Sequence, residues 1–580
     1  MKKRGYLSIV IALSYIFGAI PIFVVFSQAS SSALVVQTNF GAVQGTQLNS
    51  NTYAWLGIPY AKPPVGDLRW KAPQDPDPWT EIRQTTQFGQ PSVQVASIFG
   101  SDNLDDIEDY NIIGSEDCLY VNIWKPTDAS GSLPVYFFIH GGAYIYGQGA
   151  QDVYDGSNLA NKADCIVVNF NYRLGTAGFF KNPALQTGNP LENSGNFGIL
   201  DQIKALEWTK NNIKNFGGDP NHIIIAGESA GGFSVYNLLT SPYLKQQYFD
   251  KGIELFHAAV IESGIIMPTD PASAEGYSND LLVQVLIKNG LAGSEEQAQD
   301  LINAASPAQI KSWLMEEDMQ SLIALSQLQS LSLMSLLTTV MGITDGYVVA
   351  SDPYERMQSG NFIKVPTIIG SNQEETKLFT AVAVEWTFQF NPRDNLWDLV
   401  EESTLITLNS MIAMIVEGFE LDIDIPDIYA WLMIYSYNQI ADMLTEILFT
   451  TLGREQPASY MVQYNPNIYV YEFGWNQEPY PLGDFVGAAH TMELGFVFGN
   501  MDPNGVYGDF YTSRNARGRQ ALSNAMMSYW KNFITDGNPG DPDGGSGFRE
   551  GLPDWDPYTA RGADKIIFDA DNRRASIKMD

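Results

Sequence analysis

The chain is poor in cysteine, histidine and positive charge, and each shortage excludes something. Two cysteines in 580 residues, Cys118 and Cys165, allow at most one bridge. Stability therefore comes from a large core and not from a disulfide framework. Only four histidines are present, His140, His222, His257 and His490, so the search for a catalytic base is short. Lys and Arg number 33 against 66 Asp and Glu, a net charge of −33. Such a surface repels phosphate backbones and anionic headgroups, which excludes nucleic acid as an expected partner. There is no internal repeat and no Asn-x-Ser/Thr sequon. The acidic stretches DGNPGDPDGG (536–545) and ELDIDIPD (420–427) match no calcium-loop spacing and read as solvated loops. No metal or organic cofactor is expected.

What the chain does have is apolar content of 45% with 17% charged residues, the composition of a globular protein. Its first residues, MKKRG, precede an apolar run from Tyr6 to Phe26 and the small-residue stretch SQASSSA. This is the pattern of an export signal, placed at 1–29, with a mature chain starting near Ser30. The run is nearly long enough to span a bilayer, so a retained anchor is the alternative. Residues 30–580 are expected to form one domain.

Short β-branched runs recur between turn residues: LPVYFFIH (133–140), CIVVNFNYR (165–173), HIIIAGES (222–229), HAAVIES (257–263) and KVPTIIGS (364–371). They read as buried strands. Between the second and third lies FGILDQIKALEWTKNNIKNF (197–216), whose apolar residues follow a helical stripe. Strand–helix–strand alternation predicts an α/β fold with a mostly parallel sheet and helices on both faces. In such sheets reactive groups gather at the carboxyl ends of strands.

The stretch GESAGG (227–232) sits at one such end. A nucleophile there needs small neighbours, because its backbone turns sharply from strand into helix. Gly227 and Gly231 meet that need around Ser229. A second glycine-rich turn, HGGAYIYG (140–147), follows another strand, so Gly141 and Gly142 can offer bare N–H groups to a developing oxyanion. Among the histidines, His140 belongs to that loop, His222 precedes a strand and His257 opens one at the far end of the sheet. By elimination the base is His490, in DFVGAAHTMELGFVFG.

These motifs, with LGIPYAKPPVGDLRW (56–70), EDCLYVNIW (116–124), NYRLG (171–175), GSNQEET (370–376) and MSYWKNF (527–533), resemble the type-B carboxylesterase and cholinesterase family of α/β-hydrolases. The resemblance implies an α/β-hydrolase fold with helical insertions after the nucleophile. It further implies hydrolysis of small-molecule carboxylic esters by a Ser-Glu-His triad. The acid then falls on Glu375, and Ala230 joins Gly141 and Gly142 as an oxyanion donor. Tyr144 and Glu228 are expected to border the substrate, and Arg69–Glu116 and Arg173–Asp201 to pair. The chain departs from the family's pattern at Thr376, where glycine is usual, and Glu374 beside Glu375 leaves a second candidate acid. The usual partner of Cys118 is absent. Cys118 and Cys165 are expected at opposite ends of neighbouring strands, roughly 15–20 Å apart, as free buried thiols. The loop before EDCLY also lacks the family's choline-stacking tryptophan, which argues against choline esters. A lipase and a catalytically silent adhesion homologue are the alternatives. The Leu- and Met-rich stretch 313–341 reads as helices, either packed on the body or walling the pocket.

Overall fold

The computed structural model describes residues 34–97, 111–327, 340–377, 438–439, 441–479, 483, 486–503, 508–540, 552–559 and 564–580. The N-terminal run and the acidic stretch 420–427 lie outside these residues. So do residues 541–545 of the stretch 536–545 and the segment 328–339 of the Leu- and Met-rich stretch.

Eleven strands form the main sheet: β1 (Thr46–Asn49), β2 (Thr52–Pro59), β3 (Tyr120–Pro126), β4 (Leu133–Ile139), β5 (Ile166–Phe170), β6 (Gly218–Glu228), β7 (Ala258–Glu262), β8 (Thr367–Asn372), β9 (Ile468–Phe473), β10 (Lys565–Ala570) and β11 (Ala575–Met579). Their spatial order is β11-β10-β9-β8-β7-β6-β4-β5-β3-β2-β1. From β5 to β10 every neighbouring pair is parallel, and antiparallel strands close both edges. This is the mostly parallel sheet that the alternation implied, in the α/β-hydrolase arrangement that the resemblance implied.

Successive side chains on a strand point to opposite faces, so a strand buried on both sides reads as a continuous apolar run. Val135, Phe137 and Ile139 of β4 join one core cluster, while Tyr136 and Phe138 join the other. Ile223 and Ile225 of β6 part from Ile224 and Ala226 in the same way. Helix α1 (Phe197–Phe216) covers the first face with Ile199, Leu200, Ile203, Leu206 and Ile213. It ends at Gly217, whose φ of +95° suits the left-handed cap that glycine accepts at least cost. Helix α2 (Ala230–Thr240) lies on the same face, and α3 (Ala516–Asp536) covers the other with Leu522, Met526, Trp530 and Phe533.

Two differences from the expected boundaries have physical causes. Strand β6 starts at Gly218, with a break in register between Gly218 and Ile223, so His222 lies within it rather than before it. Strand β8 starts at Thr367, after Pro366, which has no N–H to give and meets β7 only through its carbonyl, which accepts from Ala259 N–H at 2.9 Å. Cys118 and Cys165 are buried and unbridged, near opposite ends of the antiparallel pair β3–β5. Burial raises both thiols far above their ordinary range. The segment from 313 is helical over Pro307–Glu316 and Met319–Gln327, with Leu314, Leu322 and Ile323 packed into the core. Among the described residues no helix is long and apolar enough to cross a membrane.

Candidate active site

Strand β6 stops at Glu228 and α2 starts at Ala230, which leaves Ser229 alone in the turn. Its φ of +56° and ψ of −120° form a conformation that L-residues rarely adopt. The turn is over-determined by its neighbours. Ser229 N–H donates to Glu262 O on β7 at 2.9 Å, and Phe233 N–H donates to Ser229 O at 2.8 Å. A Cβ on Gly227 would lie 2.4 Å from Gly231 O, and one on Gly231 would lie 2.0 Å from Ile139 O. Nothing larger than glycine fits at either place, as the sequence reading required.

The loop after β4 approaches the same turn. A Cβ on Gly141 would sit 3.0 Å from Ser229 Cβ and 2.7 Å from Glu228 Oε2. The next three residues, Gly142, Ala143 and Tyr144, have φ of +97°, +53° and +59°. Consecutive left-handed residues are costly, and the loop is braced accordingly. Gln94 grips Gly147 through both its N–H and its carbonyl. His140 Nδ1 lies 2.9 Å from Gly141 O, and its ring stacks on Tyr172, whose hydroxyl donates to His140 O. Burial lowers the His140 imidazole to about 4, so it is a neutral prop for the loop at physiological pH. His257 Nδ1 accepts from Ile223 N–H at the other end of the sheet.

His490 is 2% exposed and lies between two carboxyl groups. Its Nδ1 is 2.6 Å from Glu375 Oε2, and its Nε2 is 3.2 Å from Glu228 Oε1. Glu375 is fully buried, and its Oε1 accepts from Asn372 N–H at 2.7 Å. Glu374 points elsewhere: it accepts from Ala488 N–H at 2.9 Å and pairs with Lys377. Thr376, at the position where the family usually has glycine, ties the acid's turn to the segment beyond residue 440. Its hydroxyl donates to Ala441 O at 2.6 Å and its N–H donates to Thr445 Oγ1. That segment continues as the π-helix Glu446–Glu455, which places Phe449 against the His490 ring at 5.1 Å. Among the described residues, no hydrogen bond joins Ser229 Oγ to His490. Such bonds often form only in the substrate complex.

Four buried glutamates converge here: Glu228, Glu262, Glu375 and Glu493. Burial, then Glu493, Glu375 and Glu262, push Glu228 well above the usual carboxylate range. Burial and then Glu493 do the same to Glu262, whose Oε1 accepts from Trp530 Nε1 at 3.3 Å. Glu493 is raised by burial and by Glu375, and its carboxyl accepts from Asn372 and Ser263. Tyr144 is fully buried, with its hydroxyl 2.9 Å from Ser234 Oγ, so it presents no surface to a ligand. The sequence reading missed Asn372, Phe449 and Glu493. Asn372 and Glu493 lie three residues from Glu375 and His490, which was the available signal; Phe449 had none. The expected ion pairs are present, Arg69–Glu116 at 2.7 Å and Arg173–Asp201 at 2.7 Å.

The family model described as "Carboxylesterase family" matches residues 32–578, nearly the whole chain. The chain belongs to the carboxylesterase family. It is a serine hydrolase of carboxylic esters, like the relatives that share its length. It is 31% identical to para-nitrobenzyl esterase of Bacillus subtilis over 87% of this chain and 90% of that one. It is 32% identical to fumonisin B1 esterase of Sphingopyxis macrogoltabida over 91% of this chain and 86% of that one. A solved para-nitrobenzyl (PNB) esterase structure superposes with a TM-score of 0.68 at 28% identity, covering 94% of this carboxylesterase and 97% of its own chain.

Proposed function

We propose that this carboxylesterase works through Ser229 as nucleophile, His490 as general base and Glu375 as the acid that orients the imidazole. The N–H groups of Gly141, Gly142 and Ala230 receive the oxyanion. The observation that carries the reading is the 2.6 Å contact between buried His490 Nδ1 and buried Glu375 Oε2. With Nδ1–H donated to Glu375, Nε2 keeps its lone pair for the serine proton. Ser229 Oγ attacks the ester carbonyl as its proton passes to His490 Nε2. The tetrahedral intermediate places its negative oxygen against the free N–H groups of the loop and of the helix start. Collapse expels the alcohol, which takes the proton back from His490. Water then attacks the acyl-enzyme, again with His490 as base, and releases the acid. Glu228, held neutral by burial and by its carboxylate neighbours, touches the imidazole without adding a second countercharge.

The substrate is a small-molecule ester. Relatives named for para-nitrobenzyl esters, fumonisin B1 and cocaine support a site tolerant of varied alcohols and acids. The N-terminal signal pattern supports export, with cleavage near Ser30; amino-terminal sequencing of secreted protein tests it, and intact Met1 in a membrane fraction would favour an anchor. For the chemistry, Ser229→Ala is expected to lower p-nitrophenyl butyrate turnover by about 10⁴-fold or more. The turn already accepts small residues, so the fold survives. Turnover within tenfold of the unmodified protein would refute the assignment.

A further inference from the structure

We infer that Tyr144 and Ser234 are positioning residues that hold the two halves of the oxyanion hole in register. The inference rests on the hydrolysis through Ser229 proposed above. One half of the hole is the loop carrying Gly141 and Gly142; the other is the first turn of α2, which carries Ala230. The two leave neighbouring strands, β4 and β6, just beyond the last paired residues, Ile139 and Gly227, so past that point the sheet's own hydrogen bonds no longer set their register.

A buried hydroxyl network bridges them. Ser234 Oγ donates to Ala230 O at 2.9 Å, inside the first turn of α2. Gln202 Nε2, on α1, donates to Ser234 Oγ at 2.9 Å. Tyr144 OH lies 2.9 Å from the same oxygen. A serine hydroxyl has one proton and two acceptor sites. Its proton is committed to Ala230 O, so Tyr144 is the donor in the third bond and Ser234 Oγ is saturated. All of Gln202, Ser234 and Tyr144 are fully buried, so water does not compete for these bonds.

The backbone of Tyr144 explains why a bond is needed at this point. Ala143 and Tyr144 hold left-handed conformations at +53° and +59° without being glycine. A loop of this kind relaxes unless its side chains anchor it. Tyr144 anchors it twice over. Its carbonyl accepts from Gly175 N–H at 2.6 Å, and its ring packs against Phe179 and Phe233 at 4.7 and 5.9 Å. The ring sets the loop's depth, and the hydroxyl sets its register against the helix that carries Ala230.

The inference is tested with Tyr144→Phe and Ser234→Ala, each compared with Ser229→Ala. Tyr144→Phe removes one hydroxyl and leaves the ring packing, so the chain folds. The first readout is kinetic. The network acts on the oxyanion, which is absent from the bound ester and develops on the way to the tetrahedral intermediate, so kcat and kcat/KM should fall together by about 10- to 100-fold. KM should stay within about threefold.

The second readout is an aryl trifluoromethyl ketone. Ser229 Oγ adds to its carbonyl, the serine proton moves to His490, and the carbonyl oxygen becomes an anion in the hole. Affinity for that ketone should fall by the same factor as kcat, while the corresponding alcohol, which forms no oxyanion, should bind unchanged. Ser234→Ala should give the same losses, and the double variant no more than either single one.

Unchanged kcat and ketone affinity in both variants, with Ser229→Ala inactive, would overturn the inference and leave the nucleophile standing. Equal losses of ketone and alcohol binding, with KM raised, would overturn it too, because that is a general loosening of the site. Turnover by Ser229→Ala would instead overturn the mechanism on which the inference rests.

Discussion

Glu374 and Glu375 are chemically identical neighbours, and only their surroundings separate them. Glu375 is fully buried against His490 Nδ1, whereas Glu374 reaches Ala488 N–H and Lys377. Glu375→Gln removes the charge that steadies the imidazolium and can present an amide N–H to Nδ1, which disturbs the tautomer. We expect kcat to fall several hundredfold, about 3.5 kcal/mol in the barrier. Glu374→Gln keeps an acceptor for Ala488 N–H and lies away from the imidazole, so kcat should change less than about fivefold. Steady-state kcat for both variants on one soluble ester checks this, and a crippled Glu374→Gln would move the acid by one position. Ser229, Gly227 and Gly231 were legible in the sequence because a strained turn admits few residue types. Tyr144 is expected from the resemblance to border the substrate, and its buried hydroxyl lies against a serine 90 residues away. Phe449 was not legible either, since its place beside His490 depends on a chain path that no local pattern encodes.

At the scale of elements, α1 was readable to both ends. Its apolar stripe runs from Phe197, and a glycine follows Phe216 in the left-handed cap. The five strands singled out in the sequence all exist, because strands buried on both faces leave unbroken apolar runs. Strands β9 and β10, IYVYEF and KIIFDA, are not among those five. Elements meet tightly where α2 leaves β6. A Cβ on Gly231 would press on the carbonyl oxygen of Ile139, a backbone atom that cannot swing aside. Gly231→Ala should cost about 1–3 kcal/mol of stability through overpacking and disturb Ala230 N–H at the same time. Gly276, in the helix Pro271–Lys288, offers the contrast, with no atom within 4 Å of the added Cβ. Gly276→Ala should raise stability by about 0.5–1 kcal/mol by removing backbone entropy from the unfolded chain. Thermal midpoints of the two variants, compared with ester turnover, separate the two expectations. A destabilised Gly276→Ala, or a fully active and stable Gly231→Ala, would contradict the packing described.

For the molecule as a whole, the buried glutamates tie stability to pH. Glu493 is raised from an ordinary value of 4.5 to about 7, chiefly by burial and by Glu375. Between these two values the folded chain holds a proton that the unfolded chain has released. Stability from this group is therefore full below about 4.5 and is lost as pH rises through about 7. Glu228 and Glu262, also raised well above the usual carboxylate range by burial and by Glu493, act in the same direction. The thermal midpoint should thus decline from pH 5 to pH 8, and Glu493→Gln, which has no proton to lose, should flatten the part of the decline up to about 7. A parallel decline in that variant would remove Glu493 from the explanation. We propose that one serine, in one strained turn, carries the ester chemistry of a 580-residue chain. The most direct measurement treats the protein with an organophosphate, weighs the intact chain and maps the adduct. We expect loss of p-nitrophenyl butyrate turnover in proportion to a single phosphoryl group per chain, carried on Ser229. Full turnover in the labelled protein, or an adduct on any other residue accompanying its loss, would contradict the account.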